Sequence, residues 1–124
     1  MSIIEPWIGV DLDGTLAEYH GWVEGEIGKP IPLMVERVKR WFDEGENVKI
    51  FTARAAHADE AELQLIRNWC EVHLGRVLEI TCCKDYGMTA LYDDRAVQIV
   101  PNTGLRADGV DDSVGAPGDI GEAM

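Results

Sequence analysis

Strand-like and helix-like segments alternate along this chain, and that alternation limits its fold more than any other feature. Residues 7–11, "WIGVD", read as a buried strand, and 47–52, "NVKIFT", as a second. A third is expected at 77–81, "VLEIT", a short fourth at "ALYDD", residues 90–94, and a fifth at "VQIV", residues 97–100. Between the first two, Met34, Val35, Val38, Trp41 and Phe42 recur with a helical period. Pro32 suits the first helical turn and Gly45 the stop. Between the second and third, Leu63, Ile66, Trp69, Cys70 and Leu74 mark another helix. Asp59 with Glu62 resembles a capping box at its start, and Gly75 ends it. The expected fold is α/β: a three-layer, Rossmann-like parallel sheet with helices on both faces.

At 124 residues the chain suits one domain with one core. The patterned part, residues 1–103, is the expected domain. Residues 16–32 are irregular, rich in glycine and aromatics, and read as a small flap above the sheet. Residues 104–124 lose periodicity and read as an acidic, flexible tail. The formal net charge of −12 argues against general affinity for nucleic acid or anionic membranes. No apolar run approaches the roughly 20 residues of a membrane span. "MSIIEPW" has no basic stretch leading into an apolar one, so no secretion signal is read there. Cys70, Cys82 and Cys83 are odd in number and form no C-x-x-C pair. Free thiols in a reducing cytoplasm are the expectation.

In an open α/β sheet, ligands bind beyond the carboxyl ends of the strands. Those ends here carry Asp11, Asp13, Thr52, Asp93 and Asp94, with Lys84 just past the third strand. Four carboxylates on one rim repel one another unless a cation binds among them. Oxygen ligands suit Mg²⁺. Asp11 is then a candidate nucleophile toward phosphorus, giving an aspartyl-phosphate. Asp13 is placed to protonate the leaving oxygen and later to activate water, the charge of Asp11 helping to keep it protonated. Gly14 allows a sharp turn and close backbone approach to a phosphate, with Thr15 and Ala53 as neighbouring substrate contacts. Thr52 is a donor to a phosphoryl oxygen, and Lys84 offsets negative charge. Asp93 and Asp94 are candidates to hold the metal, one directly and one through water. Arg54 and Arg95 either bind substrate phosphate or pair with the nearby acids.

"DLDGT", "FTAR", Lys84 and "YDD" resemble, in order, the four motifs of the haloacid dehalogenase (HAD) superfamily, and span residues 8–95. The resemblance implies Mg²⁺-dependent phosphoryl transfer through an aspartyl-phosphate on a Rossmann-like core. It implies that Asp13 offers the metal its backbone carbonyl and that Asp94 is a direct ligand. The short gaps between motifs resemble a capless member with no large cap domain. "DDR", residues 93–95, is similar to the same region of 5'(3')-deoxyribonucleotidases and of the 3'-phosphatase domain of polynucleotide kinase–phosphatases. The expected substrate is therefore a phosphate monoester on a nucleotide or nucleic-acid 3'-end. A sugar phosphate, another small metabolite or a phosphopeptide are the alternatives. A non-catalytic phosphate-binding or scaffold protein on the same fold is the rival class.

Other signals are weaker. Tyr19, His20 and Trp22 either stack on a nucleobase or cover the sheet top, the second being favoured. His57 and His73 are isolated. "CEVHLGR", residues 70–76, matches the C-x5-R pattern of cysteine phosphatases, but Cys70 falls on the apolar face of a helix, away from any phosphate cradle. The only serines, Ser2 and Ser113, sit in no nucleophile elbow, and there is no P-loop.

Overall fold

The computed structural model describes residues 4–112. Four parallel strands form the sheet in the order β3-β2-β1-β4: β1 (Trp7–Val10), β2 (Val48–Phe51), β3 (Ile80–Thr81) and β4 (Met88–Tyr92). Helix α1 (Pro32–Asp43) joins β1 to β2, and α2 (Glu60–Leu74) joins β2 to β3. Register places Ile8 beside Val48 and Ala90, and Val10 beside Ile50 and Tyr92. Side chains alternate across a strand, so Ile8, Val10, Val48 and Ile50 share one face. They pack with Met34, Val38 and Trp41 of α1 and Ile66, Trp69, Cys70 and Leu74 of α2 in one core. The opposite face carries Trp7, which is buried, with the Lys49 ammonium 4.6 Å from its ring centroid.

Both helices begin and end where local chemistry says. Pro32 opens α1, where a missing N–H costs nothing. The Asp59 carboxylate accepts from the Glu62 N–H at 2.9 Å, satisfying one open donor of α2. Gly75 closes α2 in the left-handed conformation.

The structure departs from the sequence reading in three places. Two crossovers in the same direction along the sheet put both helices on one face, because such connections are right-handed. The β3–β4 connection, residues 82–87, holds no helix, so helices on both faces are not seen among the described residues. The third strand keeps only Ile80 and Thr81 of the expected 77–81. The fifth strand does not join the sheet. Residues 97–100 spend their β-propensity locally instead: Val100 N–H donates to Leu105 O at 2.8 Å and Ala107 N–H to Gln98 O at 2.9 Å.

The chain divides after Asp94 into two compact units. In the second unit, Arg106 donates to the carboxylates of Asp108 and Asp112. Most of the expected tail, residues 113–124, lies outside the described residues. No helix among the described residues is long and apolar enough to cross a membrane.

The core and the cap predict different costs. Ile66→Ala should destabilise the protein by about 2–5 kcal/mol through loss of burial and the cavity left behind. Asp59→Ala should cost about 1 kcal/mol. Urea unfolding of the two variants beside the parent checks both.

Candidate functional site

Because every strand of the sheet is parallel, the residues that follow the strands meet at one edge. β1 lies between β2 and β4, so Asp11 after β1 is flanked by Thr52 after β2 and by Asp93 and Asp94 after β4. The Asp11 N–H donates to Tyr92 O at 2.9 Å, extending the β1–β4 ladder to the first carboxylate. One carboxylate oxygen from each of Asp11, Asp93 and Asp94 lies within 4.8 Å of the others. Ligands about 2.1 Å from Mg²⁺ stand about 3 Å apart when adjacent and about 4.2 Å when opposite, so the spacing is near what the ion needs. All-oxygen donors also suit its chemistry.

The crowding falls on Asp11. Burial first, then the charge of Asp93 and a hydrogen bond with Asp94, push its pKa from 3.8 up to about 7. Asp13 is not among the groups that raise it. Asp11 is thus crowded by the β4 acids rather than by Asp13. Asp13 turns to a cation instead: Arg54 Nε donates to its Oδ2 at 2.7 Å and Arg54 Nη2 to its Oδ1 at 2.8 Å.

Leu12 makes this separation possible. Its side chain is fully buried, and its carbonyl accepts from Leu16 at 3.0 Å and Ala17 at 2.8 Å, fixing a tight turn between the two acids. Gly14 lies in that turn at φ +89°. A Cβ there would stand 2.5 Å from Asp94 Oδ2, so glycine is required both by conformation and by space. Thr15 Oγ1 donates to Asp94 Oδ1 at 3.3 Å, which makes it a partner of a candidate metal ligand.

Thr52 is buried, its N–H donates to Thr81 O, and its hydroxyl accepts from the Arg54 N–H at 3.2 Å. It therefore starts the short 3-10 turn Ala53–Ala56 that carries Arg54. Ala53 is exposed at the start of that turn. Lys84 is exposed beyond the edge strand β3, and no ion pair ties it to an acid among the described residues. Strands about 4.8 Å apart put β3 roughly 10 Å from β1. Arg95 is exposed and belongs to the second unit.

The Asp13–Arg54 fork was legible only as one of two options for Arg54. The flap contacts of Arg54 had no signal in sequence, because they run to backbone carbonyls: Nη1 donates to Gly25 O at 2.7 Å and Nη2 to Glu26 O at 2.9 Å. The flap aromatics are partly exposed, and the Trp22 ring packs on the Arg54 guanidinium. Tyr19 is 45% exposed and Trp22 58%. Cys70 is fully buried on α2, and burial pushes its thiol up to about 11, so the C-x5-R match has no nucleophile.

No family profile matches the chain, and no curated protein matches it. A solved structure of a conserved protein from Bacteroides thetaiotaomicron is similar at 23% identity, with a TM-score of 0.54, over 79% of this chain and 83% of that one. The likeness supports an α/β fold of this type and says nothing of chemistry.

Two outcomes check the site. Protonated Asp11 favours the folded state, and this contribution is complete below about pH 3.8 and lost as pH rises through about 7. In EDTA, Asp11→Asn should therefore gain thermal stability over the parent between pH 5 and 8. Added Mg²⁺ should raise the parent's melting temperature more at pH 8 than at 5.5. Gly14→Ala should displace Asp94 and cut that Mg²⁺-dependent rise by more than half, read by the same melts.

Proposed function

We propose that this protein is a Mg²⁺-dependent phosphatase of phosphate monoesters, with a sheet core of the HAD type and no large cap. The observation that carries the reading is the set of three carboxylates, from Asp11, Asp93 and Asp94, gathered at the edge of a parallel sheet. A cation relieves their repulsion, and a phosphate ester shares that cation readily. Asp11, Asp93, Asp94 and the Asp13 carbonyl would hold Mg²⁺, which supplies charge neutralisation and polarises the phosphoryl oxygens.

In this reading an oxygen of Asp11 attacks phosphorus, the bond to the ester oxygen breaks, and Asp13 gives that oxygen a proton. Water then attacks the aspartyl-phosphate, Asp13 takes its proton, and the bond to Asp11 breaks to release phosphate. The Gly14–Thr15 turn and the start of the Ala53–Ala56 turn are the candidate phosphate contacts. Lys84 reaches the phosphoryl group only by extending from the sheet edge.

A nucleotide or a nucleic-acid 3'-end is the proposed substrate. The exposed rings of Tyr19 and Trp22 favour it over a sugar phosphate, because an exposed ring offers a base a stacking surface. The free thiols fit a reducing cytoplasm. A phosphate-binding scaffold is the rival reading.

The test is hydrolysis of p-nitrophenyl phosphate and of a 3'-phosphorylated oligonucleotide, with Mg²⁺ and with EDTA. Activity should need the metal and fall at least about 1000-fold in Asp11→Asn. Activity that survives Asp11→Asn removes the proposed nucleophile. Folded, Mg²⁺-loaded protein that binds phosphate and turns over neither ester points to the scaffold.

A further inference from the structure

The Arg54 guanidinium has five N–H groups. Four hydrogen bonds tie it within the protein, two to Asp13 and two to the flap carbonyls of Gly25 and Glu26. Its side chain is only 8% exposed, and its Cζ stands 4.7 Å from the Trp22 ring centroid. Little of it is left to hold a substrate phosphate. The bidentate fork instead fixes the plane of the Asp13 carboxyl group, which has about four oxygen sites, so two stay open, one of them for the proton that Asp13 gives to a leaving oxygen.

The other end of Arg54 acts on the tip of the flap. At the base of the flap, the Glu18 N–H donates to Lys29 O, and the Ile31 N–H to Leu16 O, both at 2.8 Å. A Cβ on Gly28 would collide with Glu18 O, so the two arms run in close contact. Trp69 Nε1 adds a bond to Gly28 O at 2.9 Å. The tip beyond Gly28 has a less favoured backbone: Glu24 sits at φ 48°, a left-handed conformation uncommon for a residue with a side chain. The carbonyls of the next two residues are the ones Arg54 holds.

We propose that Arg54 is a positioning residue, which locks the Asp13 carboxylate and the flap tip into one unit. This rests on the role of Asp13 in the reading above. A leaving group then meets an acid whose orientation is set by the flap. Ordering the flap and aiming the acid become one event.

The distinguishing measurement is single-turnover release of the leaving group from two aryl esters. Phenyl phosphate needs a proton on its leaving oxygen; 2,4-dinitrophenyl phosphate hardly does. In Arg54→Ala, release of phenol should slow about 100-fold, and release of dinitrophenol less than about fivefold, as expected for a misplaced general acid. Arg54→Lys keeps the charge but cannot form the fork, and should show the same contrast if the alanine variant folds poorly. Hydrogen exchange of amides 23–27 should quicken at least about tenfold in either variant. Equal slowing of both esters, or a raised KM for both with kcat unchanged, would assign Arg54 to folding or to phosphate binding and overturn the proposal. Unchanged flap exchange overturns it whatever the kinetics. If the parent releases neither leaving group but the variants speed flap exchange, the phosphatase reading fails and the flap lock stands.

Discussion

Parallel pairing of β1 with both β2 and β4 is the constraint on which the rest of the site depends. It sends three strand ends to one edge and sets their spacing. Asp11 follows the central strand of the three, so it receives the charge of the β4 acids on one side and the Thr52 turn on the other. The energetic consequence is direct. A carboxyl that is partly buried and faces two like neighbours holds its proton to about pH 7, where a carboxyl in water has long lost it. A cation placed among the three acids would remove the same repulsion.

The two aspartates of "DLDGT" are close in sequence and divided in space. Leu12, fully buried between them, anchors the turn in the core. Asp11 then faces acids on β4, and Asp13 faces a cation after β2. Like charges that would repel across one residue are each given a different environment, which is a general way for a site to set two carboxylates to two tasks. Here the second environment reaches into the flap, because the guanidinium that binds Asp13 also binds flap carbonyls.

Much of the framework was legible because its causes are local. Pro32, Asp59 and Gly75 mark helix ends through their own backbone chemistry. Ile66, Trp69, Cys70 and Leu74 mark a buried face through spacing alone. "VQIV" misled because a strand needs a neighbour, and β-propensity does not say which one. Residues 97–100 took a neighbour within the second unit, through Gln98 and Val100 to Leu105 and Ala107. That both described helices share one face was likewise beyond pattern, since an amphipathic stripe states that a helix packs and not on which side of a sheet.

The sequence by itself determined the two helices, the strand that leads into Asp11, and a cluster of acids at strand ends. These follow from periodicity, capping and the placement of charge after apolar runs, each of which acts over a few residues. Only the tertiary structure decided which acids crowd Asp11, that Asp13 belongs to Arg54, that Lys84 stays at the edge, and that the flap is tied to Asp13. Those outcomes depend on strand order and on contacts between residues some 30 to 80 positions apart, with backbone carbonyls that carry no sequence signal.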